Sequence, residues 1–288
     1  MRVLLAGNPA SGSGRGAAAI ERAARGLREL GASVDVLRSE GPGHVRRALS
    51  EGVPHERVIA CGGDGVVSEA AAALRGTGVP LAVVPAGRGN DLARALSLPR
   101  GTVAAVKLAL SGTPRPMDLG LANGRAFCTV AACGLDAEVS RMARASVLPL
   151  PGPGVYLVEL LRALRRPPAF AARLEHDGGV FEDELLVLAV ANTATYGGGF
   201  RIAPDARPDD GLLDVVAIRT RSRLQALALV PRVMRGTHLT LGGVTVFRTR
   251  RLVAKLSPDA AIEGDGEPLA ASPVTYEVDP GALMVVGP

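Results

Sequence analysis

Val58-Ile59-Ala60 runs into Cys61-Gly62-Gly63-Asp64-Gly65 and then into Val66-Val67-Ser68-Glu69-Ala70. The first segment has the apolar, β-branched character of a buried strand. The second is a glycine-rich turn around one carboxylate, and the third belongs to a helix predicted over Val66–Leu74. On either side the same alternation recurs, with strands predicted at Arg2–Ala6, Val34–Leu37 and Leu81–Val84 and helices over Gly16–Leu30, His44–Ser50 and Thr102–Ser111. Short apolar runs alternating with amphipathic ones are the pattern of βαβ units around a parallel sheet, where ligands bind beyond the carboxyl ends of the strands.

Two other turns follow predicted strands in the same way. Gly7-Asn8-Pro9-Ala10-Ser11-Gly12 leads into a helix with the glycine-rich start Ser13-Gly14-Arg15-Gly16. Backbone N–H groups there can hold an anion, because glycine lets the main chain approach a phosphate closely. It is not a P-loop, since Ser13 stands where that motif needs lysine, and it is not a GxGxxG turn. Gly62-Gly63-Asp64-Gly65 leaves room for a phosphate, with Asp64 able to gather its oxygens through magnesium and water. An Asp-Gly turn with Asp64 capping the helix accounts for the same residues. Pro85-Ala86-Gly87-Arg88-Gly89-Asn90-Asp91 follows the next strand, and Asn90 and Asp91 also suit a helix N-cap. Each turn alone is ambiguous; the three at one edge of one sheet point together to phosphate binding.

The 288 residues suit two domains. At 47% hydrophobic and 21% charged they carry enough apolar material for folded cores. No apolar run reaches the ~18 residues of a membrane span. Met1 opens on a short apolar run and a turn rather than a secretory leader, so the expected location is cytoplasmic. A net charge of +5 favours phosphates, anionic lipid heads or nucleic acid, although a general bias to arginine accounts for much of it, since only Lys107 and Lys255 are lysines. Without tryptophan the stacking platforms of nucleic-acid binders are poorly supplied. Cys61, Cys128 and Cys133 lack a CxxC spacing and are expected to be buried free thiols, and His44, His55, His176 and His238 show no metal spacing.

Gly112-Thr113-Pro114-Arg115-Pro116 breaks the pattern, which places a domain boundary there, 1–116 and 117–288, with the last strand allowed to return to the first domain. Beyond it, β-type runs at Phe127–Ala132, Ala171–Glu175, Glu184–Ala191, Gly211–Ile218, Leu239–Phe247, Arg251–Leu256 and Val274–Val278 predict an antiparallel sandwich or barrel. One helix, Gly154–Arg166, interrupts them. It sets Val155, Val158, Leu161 and Leu164 on one face and ends in Arg162, Arg165 and Arg166; a packing helix is the simpler reading, a membrane-surface helix the other. Glu263, Asp265 and Glu267 fall in one turn, which is equally an Asp-Gly hairpin signal, and Asp205, Asp209, Asp210 and Asp214 read as loop acids.

Taken in order, Asn8-Pro9-Ala10-Ser11-Gly12, Gly62-Gly63-Asp64-Gly65 and Gly87-Arg88-Gly89-Asn90-Asp91 resemble the diacylglycerol kinase catalytic domain family, which includes bacterial soluble lipid kinases, sphingosine kinases and ceramide kinases. Cys133-Gly134-Leu135-Asp136-Ala137, Tyr196-Gly197-Gly198-Gly199, Ala203-Pro204, Asp209-Asp210-Gly211-Leu212-Leu213-Asp214 and Asp265-Gly266-Glu267 resemble later segments of it. The resemblance implies an N-terminal Rossmann-like parallel-sheet nucleotide domain, similar to phosphofructokinases and NAD kinases. It implies a C-terminal antiparallel β-sandwich after it, with the active site in the cleft between. ATP and Mg2+ are implied as cofactors. Nucleotide contacts would come from Asn8, Pro9, Ala10, Ser11, Gly12, Ser39, Gly62, Gly63, Asp64, Gly65, Val66, Val67, Ser68 and Arg88, with Asn90 and Asp91 beside them. A structural magnesium would take Asp210 and the carbonyls of Arg207 and Leu212.

The family pattern assigns the catalytic base to the Asp-Gly-Glu turn, Glu267 first and Asp265 its competitor, with Asp64 steadying the γ-phosphoryl group through magnesium and water. Val66 stands where the family usually has Thr, Ser68 replaces a common Asn, and Arg88 replaces a usual Thr or Ser. Arg88 then either pairs with phosphate or fills the cleft and weakens ATP binding. The expected activity is phosphoryl transfer to a hydroxyl of a lipid such as diacylglycerol. The alternatives are a catalytically weak lipid- or nucleotide-binding regulatory protein and a kinase for a soluble acceptor such as NAD. Expected partners are a lipid substrate at a membrane surface, reached by peripheral association, and no nucleic acid; a homodimer is left open.

Overall fold

The amino-terminal elements are β1 (Arg2–Gly7), the single turn α1 (Ser11–Gly14), α2 (Gly16–Glu29), β2 (Ser33–Arg38), α3 (His44–Ser50), β3 (Arg57–Gly62), α4 (Asp64–Leu74), β4 (Leu81–Pro85), α5 (Asp91–Ala95), α6 (Thr102–Ser111) and β5 (Thr113–Ala122). This computed structural model describes residues 1–148, 150, 152–165, 169–219 and 222–287. The chain divides into two units, Met1–Leu119 with Pro280–Pro288, and Gly120–Asp279.

In the first unit the strand order is β2-β1-β3-β4, all parallel, with Leu5 opposite Val36 on one side and Ile59 on the other. Because β1 pairs with β2 on one edge and β3 on the other, the order reverses at β1, and the carboxyl ends of β1 and β3 flank that switch. Helix α2 buries Ala19, Ile20, Ala23, Ala24 and Leu27, the i, i+1, i+4, i+5, i+8 stripe of a helix lying on a sheet. It packs on Val3 and Leu5 of β1, Ile59 of β3, and Ala105, Val106 and Ala109 of α6. At roughly 2 kcal/mol for each large aliphatic side chain, this apolar face rather than end-capping carries the helix, since no side chain caps its start.

The second unit continues with β6 (Arg125–Phe127), β7 (Val130–Gly134), α7 (Leu135–Ala145), α8 (Gly152–Ala163), β8 (Phe170–His176), β9 (Gly179–Leu185), β10 (Val187–Ala191), β11 (Leu213–Ile218), α9 (Arg223–Arg235), β12 (Val244–Thr249), β13 (Arg251–Ser257), β14 (Ala261–Gly264), β15 (Glu267–Ala271) and β16 (Val274–Gly287). A six-stranded sheet has the order β12-β11-β10-β7-β14-β15, antiparallel at every pairing. A second antiparallel ladder runs β16-β13-β8-β9. Cys133, Leu188, Val215 and Ile262 from the first meet Phe170, Leu174, Leu252 and Tyr276 from the second in one buried cluster, which Phe127 of β6 joins, so this unit is a sandwich. The other face of the six-stranded sheet packs Val130, Ala132, Ala189 and Val216 against Leu135 and Val139 of α7, Leu160 of α8, and Ala226 and Val233 of α9. Strand β16 also reaches the first unit, where Val285 lies parallel to Leu81 of β4.

Several expectations are corrected. The Gly112–Pro116 break instead leads into β5, which begins at Thr113 and tolerates Pro114 and Pro116 because it lies off the main ladder, pairing among the described residues with β16 and β6. Glu184–Ala191 is not one strand: β9 ends at Leu185 in one sheet, β10 begins at Val187 in the other, and Leu186 is the crossing residue. Phe127–Ala132 is likewise split at Cys128 and Thr129, whose N–H groups bond to a side chain instead of a ladder. The strand expected over Leu239–Phe247 begins only at Val244 and runs to Thr249. The one expected helix is joined by α7 and α9, and on α8 Leu161 is 46% exposed instead of buried. Arg166 lies outside the described residues.

Candidate functional site

The three glycine-rich turns sit at the carboxyl ends of β1, β3 and β4, and the structure brings them together. In the first, the Asn8 side chain accepts the Ala10 N–H at 2.8 Å and its carbonyl accepts the Ser11 N–H, which folds the turn back into α1. A Cβ on Gly16 would fall 2.2 Å from the Asn8 carbonyl oxygen, so only glycine lets α2 start this close to the turn. The Ser11 hydroxyl lies beside β3, 3.6 Å from where a Cβ on Gly62 would stand. Ser39, just past β2, donates its backbone N–H to the Gly7 carbonyl and its hydroxyl to the Gly41 carbonyl.

The second and third turns touch backbone to backbone. A Cβ on Gly87 would lie 2.3 Å from the Gly63 Cα, and one on Gly89 would lie 2.6 Å from an Asp64 oxygen. Glycine at these positions is therefore what allows the contact, and the contact places the Asp64 carboxylate under the loop. Asp64 Oδ1 accepts the Asp91 N–H at 2.6 Å and Oδ2 accepts the Asn90 N–H at 2.9 Å. The residue heads α4 as its first acidic group, but the helix start it caps is that of its neighbour α5. Asn90, at φ 53°, closes its own loop, its side chain taking the Gly87 N–H and donating to the Gly87 carbonyl. Val66 and Val67 are buried, Ser68 is half-buried, and Arg88 is exposed on the rim.

The acidic turn of the second unit is the Asp-Gly hairpin offered by the sequence. Asp265 and Gly266, at φ 53° and 80°, form the two-residue turn between β14 and β15. The Asp265 carboxylate is buried and points back into its own unit: Oδ2 accepts the Cys128 N–H at 2.7 Å, and Oδ1 accepts the Thr129 N–H at 2.8 Å and its hydroxyl at 2.6 Å. The Asn192 amide donates to the Cys128 carbonyl, and the Asn192 and Thr193 N–H groups donate to the Thr129 carbonyl, completing a buried polar clamp. Glu267 is exposed, whereas Glu263 is buried and lines a cavity of about 560 Å³ with Arg141, Arg162 and Arg165. The three acids thus have three different environments. Thr129, Asn192 and Thr193 were missed by sequence reasoning; their one signal was a polar pair ending the apolar run Leu185–Ala191.

Around the implied magnesium loop, Asp210 Oδ1 accepts the Leu212 N–H at 3.1 Å, and Arg207 is exposed. Arg248 donates to Asp214 Oδ1 at 3.0 Å and to the Asp205 carbonyl, and stands 3.9 Å from Asp210 Oδ2. Burial raises the Asp214 carboxyl above the usual range against the pull of Arg248, and its Oδ2 is buried without a hydrogen-bond partner among the described residues. An orphaned carboxylate oxygen beside Asp210 is the donor chemistry a hard cation needs. Among the described residues no cluster of three or more His, Cys, Asp or Glu side chains is arranged to hold a metal. The implied set of one carboxylate and two carbonyls is of a different kind.

The second unit also holds an apolar cavity of about 90 Å³ under α7, α8 and α9, lined by Leu135, Val139, Leu160, Tyr196, Phe200 and Val230 among others, with Asp136 and Ser140 as polar groups in its wall. Among the described residues no helix is long and apolar enough to cross a membrane.

A parallel sheet with three glycine-rich turns at one edge, followed by an antiparallel sandwich, defines a class, and the comparisons agree with it. Residues 2–122 match the diacylglycerol kinase catalytic domain, and residues 129–287 match the YegS C-terminal NAD kinase beta sandwich-like domain. Over 290 residues the chain is 34% identical to "Diacylglycerol kinase" of Mycobacterium tuberculosis, covering 98% of this chain and 93% of that protein. It is also 34% identical over 278 residues to "Probable lipid kinase YegS-like" of Pseudomonas aeruginosa, covering 92% of this chain and 88% of that one. A crystal structure from Bacillus anthracis superposes with a TM-score of 0.81 at 22% identity, covering 100% of this chain and 97% of that one, a likeness of fold. The chain belongs to the diacylglycerol kinase family. Its enzyme class is accordingly that of the lipid kinases.

Proposed function

We propose that the chain transfers the γ-phosphoryl group of ATP, with Mg2+, to the hydroxyl of a lipid, diacylglycerol being the leading candidate. The observation that carries the reading is the convergence of the turns at 8–12, 62–65 and 86–91, the last two joined by the Asp64 carboxylate. Backbone N–H groups and helix starts gathered at one sheet edge suit a polyphosphate. Asn8 to Gly12, Ser39 and Gly62 to Ser68 would hold the nucleotide, and exposed Arg88 would pair with its phosphates. Each Asp64 oxygen accepts an N–H bond and carries a second lone pair, so Asp64 would help to hold a nucleotide-bound Mg2+, directly or through water. Arg207, Asp210 and Leu212 would hold a second ion that orders their loop; the unpartnered Asp214 oxygen beside them supports that placement.

In this reading Glu267 accepts the proton of the attacking hydroxyl, because it is exposed, whereas the Asp265 carboxylate is engaged by three donors and positions the hairpin that carries Glu267. The apolar lining of the cavity under α7, α8 and α9 supports an apolar substrate, although at about 90 Å³ it has room for only part of an acyl chain. Names of the relatives support the same substrate class.

The test is incubation of purified protein with Mg2+, labelled ATP and a lipid extract, followed by identification of any labelled product. Labelled phosphatidic acid is expected from diacylglycerol. Glu267→Gln should abolish it while leaving ATP binding by calorimetry intact, and Arg88→Thr should weaken that binding by about tenfold. No labelled lipid across a broad panel, or labelling of NAD instead, would sink the reading.

A further inference from the structure

Helix α9 is apolar on two sides. Ala226, Leu229, Val230 and Val233 face inward and line the apolar cavity. On the outside, Leu224, Leu227, Pro231 and Met234 are spaced by three, four and three residues, which sets them on one stripe. Leu224 is 79% exposed, Leu227 41% and Met234 55%, and Pro231 is exposed as well. A helix at the surface of a folded unit ordinarily turns polar side chains to water, and a continuous exposed apolar stripe marks a contact face. Arg223, Arg232 and Arg235 are exposed along the same helix, and no acidic residue occurs from Ser222 to Gly236. Helix α8, the other side of the same cavity, repeats the pattern: Leu157 and Leu161 are 50% and 46% exposed at i and i+4, and exposed Arg165 follows at i+8.

We propose that the outer stripe of α9, extended by that of α8, is the surface on which this protein lies on an anionic lipid bilayer. This deepens the lipid-kinase reading above and rests on it. Leucine and methionine side chains enter the acyl boundary while the arginines stay at the level of the head groups, the division of labour of an interfacial helix. Charge complementarity selects the occupant. Anionic head groups neutralise Arg223, Arg232 and Arg235, whereas a second copy of this chain meeting α9 with α9 about a two-fold axis would bring arginines against arginines. The placement also has a consequence for substrate entry, since the helices that would lie in the interface are those whose inner faces line the cavity, so a lipid reaches it without crossing bulk water.

The experiment uses the full chain and vesicles of phosphatidylglycerol and phosphatidylcholine in equal parts, with phosphatidylcholine alone as comparison, read by co-sedimentation. Leu224→Asp with Leu227→Asp changes only exposed positions, and its melting temperature is measured to establish that the fold is kept. The wild type is expected to bind the anionic vesicles with a salt-dependent affinity. The double variant should bind them about tenfold or more weakly, and Arg223→Gln with Arg235→Gln should lose much of the salt dependence. Vesicle binding unchanged in the folded double variant, no wild-type binding, or a wild-type dimer in sedimentation velocity that the double variant dissolves would each overturn the proposal. Phosphorylation of diacylglycerol presented in detergent micelles separates the two readings. Under the docking proposal it is equal in the wild type and the double variant. Its absence from both, with vesicle binding intact, refutes the kinase reading and leaves the docking surface standing.

Discussion

Replacing Asp265 by Asn tests the claim that this residue works as a clamp. Asn tolerates the left-handed backbone at φ 53° at least as well as Asp, so the change isolates the carboxylate from the turn. The wild-type oxygens take three hydrogen bonds at 2.6 to 2.8 Å from Cys128 and Thr129, which are themselves buried. A bond to a charged group contributes about 1.5–3 kcal/mol, and a buried donor left unpaired costs about 1–3 kcal/mol. Asn keeps one acceptor, which can serve Thr129, but sets an NH2 group against the Cys128 N–H. One strong bond is lost and two donors oppose each other, partly offset by removing a buried charge, for a net cost of about 2–4 kcal/mol. At about 2–4 °C per kcal/mol for a chain of this size, the melting temperature should fall by roughly 5–15 °C. Asp265→Ala loses all three bonds and adds left-handed strain of about 1 kcal/mol, so it should fall further. Thermal melts followed by circular dichroism, with Thr129→Val as a single-bond comparison, read the series. Melting of Asp265→Asn within 2 °C of the wild type would refute the clamp, and the assignment of Glu267 over Asp265 as base with it.

Gly87→Ala should destabilise by at least about 2 kcal/mol and abolish ATP binding in calorimetry, because its Cβ would fall 2.3 Å from the Gly63 Cα; Gly242→Ala, with nothing within 4 Å among the described residues, should change stability by no more than about 0.5 kcal/mol. Burial pushes the Cys61 thiol up to about 11 and the Cys133 thiol up to about 12, so a disulfide reagent at pH 8 should leave both unmodified in the native protein and label them on unfolding. Asp214 is raised in the folded state, so the native protein holds its proton more tightly than the unfolded chain does. Its contribution to stability is therefore present below the ordinary carboxylate range and is lost as pH rises through the folded value. Melts across pH 3 to 7 should show Asp214→Asn gaining on the wild type as pH increases, and added Mg2+ should raise the wild-type melting temperature at pH 7 but not once the loop acids are protonated.

The parallel unit was open to reading because each of its signals is local. An apolar run of five residues, a glycine turn and a 3.6-residue periodicity are complete within about 20 residues, and helices α3 and α6 lie where the periodicity predicts them. In the second unit the signals were weaker. Helix α9 escaped because apolar residues on two of its faces blur the single stripe that marks an ordinary surface helix, and the crossing at Leu186 escaped because both strands beside it are equally apolar.

From sequence, then, came the alternation of strands and helices, the glycine turns at the ends of the strands, and the Asp-Gly hairpin, since backbone conformation and side-chain periodicity are properties of neighbours along the chain. Only the tertiary structure decided what each carboxylate touches. Asp64 bonds to the backbone of Asn90 and Asp91, 26 and 27 positions away, and Asp265 to Cys128 and Thr129, 137 and 136 positions away. A carboxylate will accept whichever N–H groups packing leaves without a ladder partner, and which groups those are is settled when the elements meet.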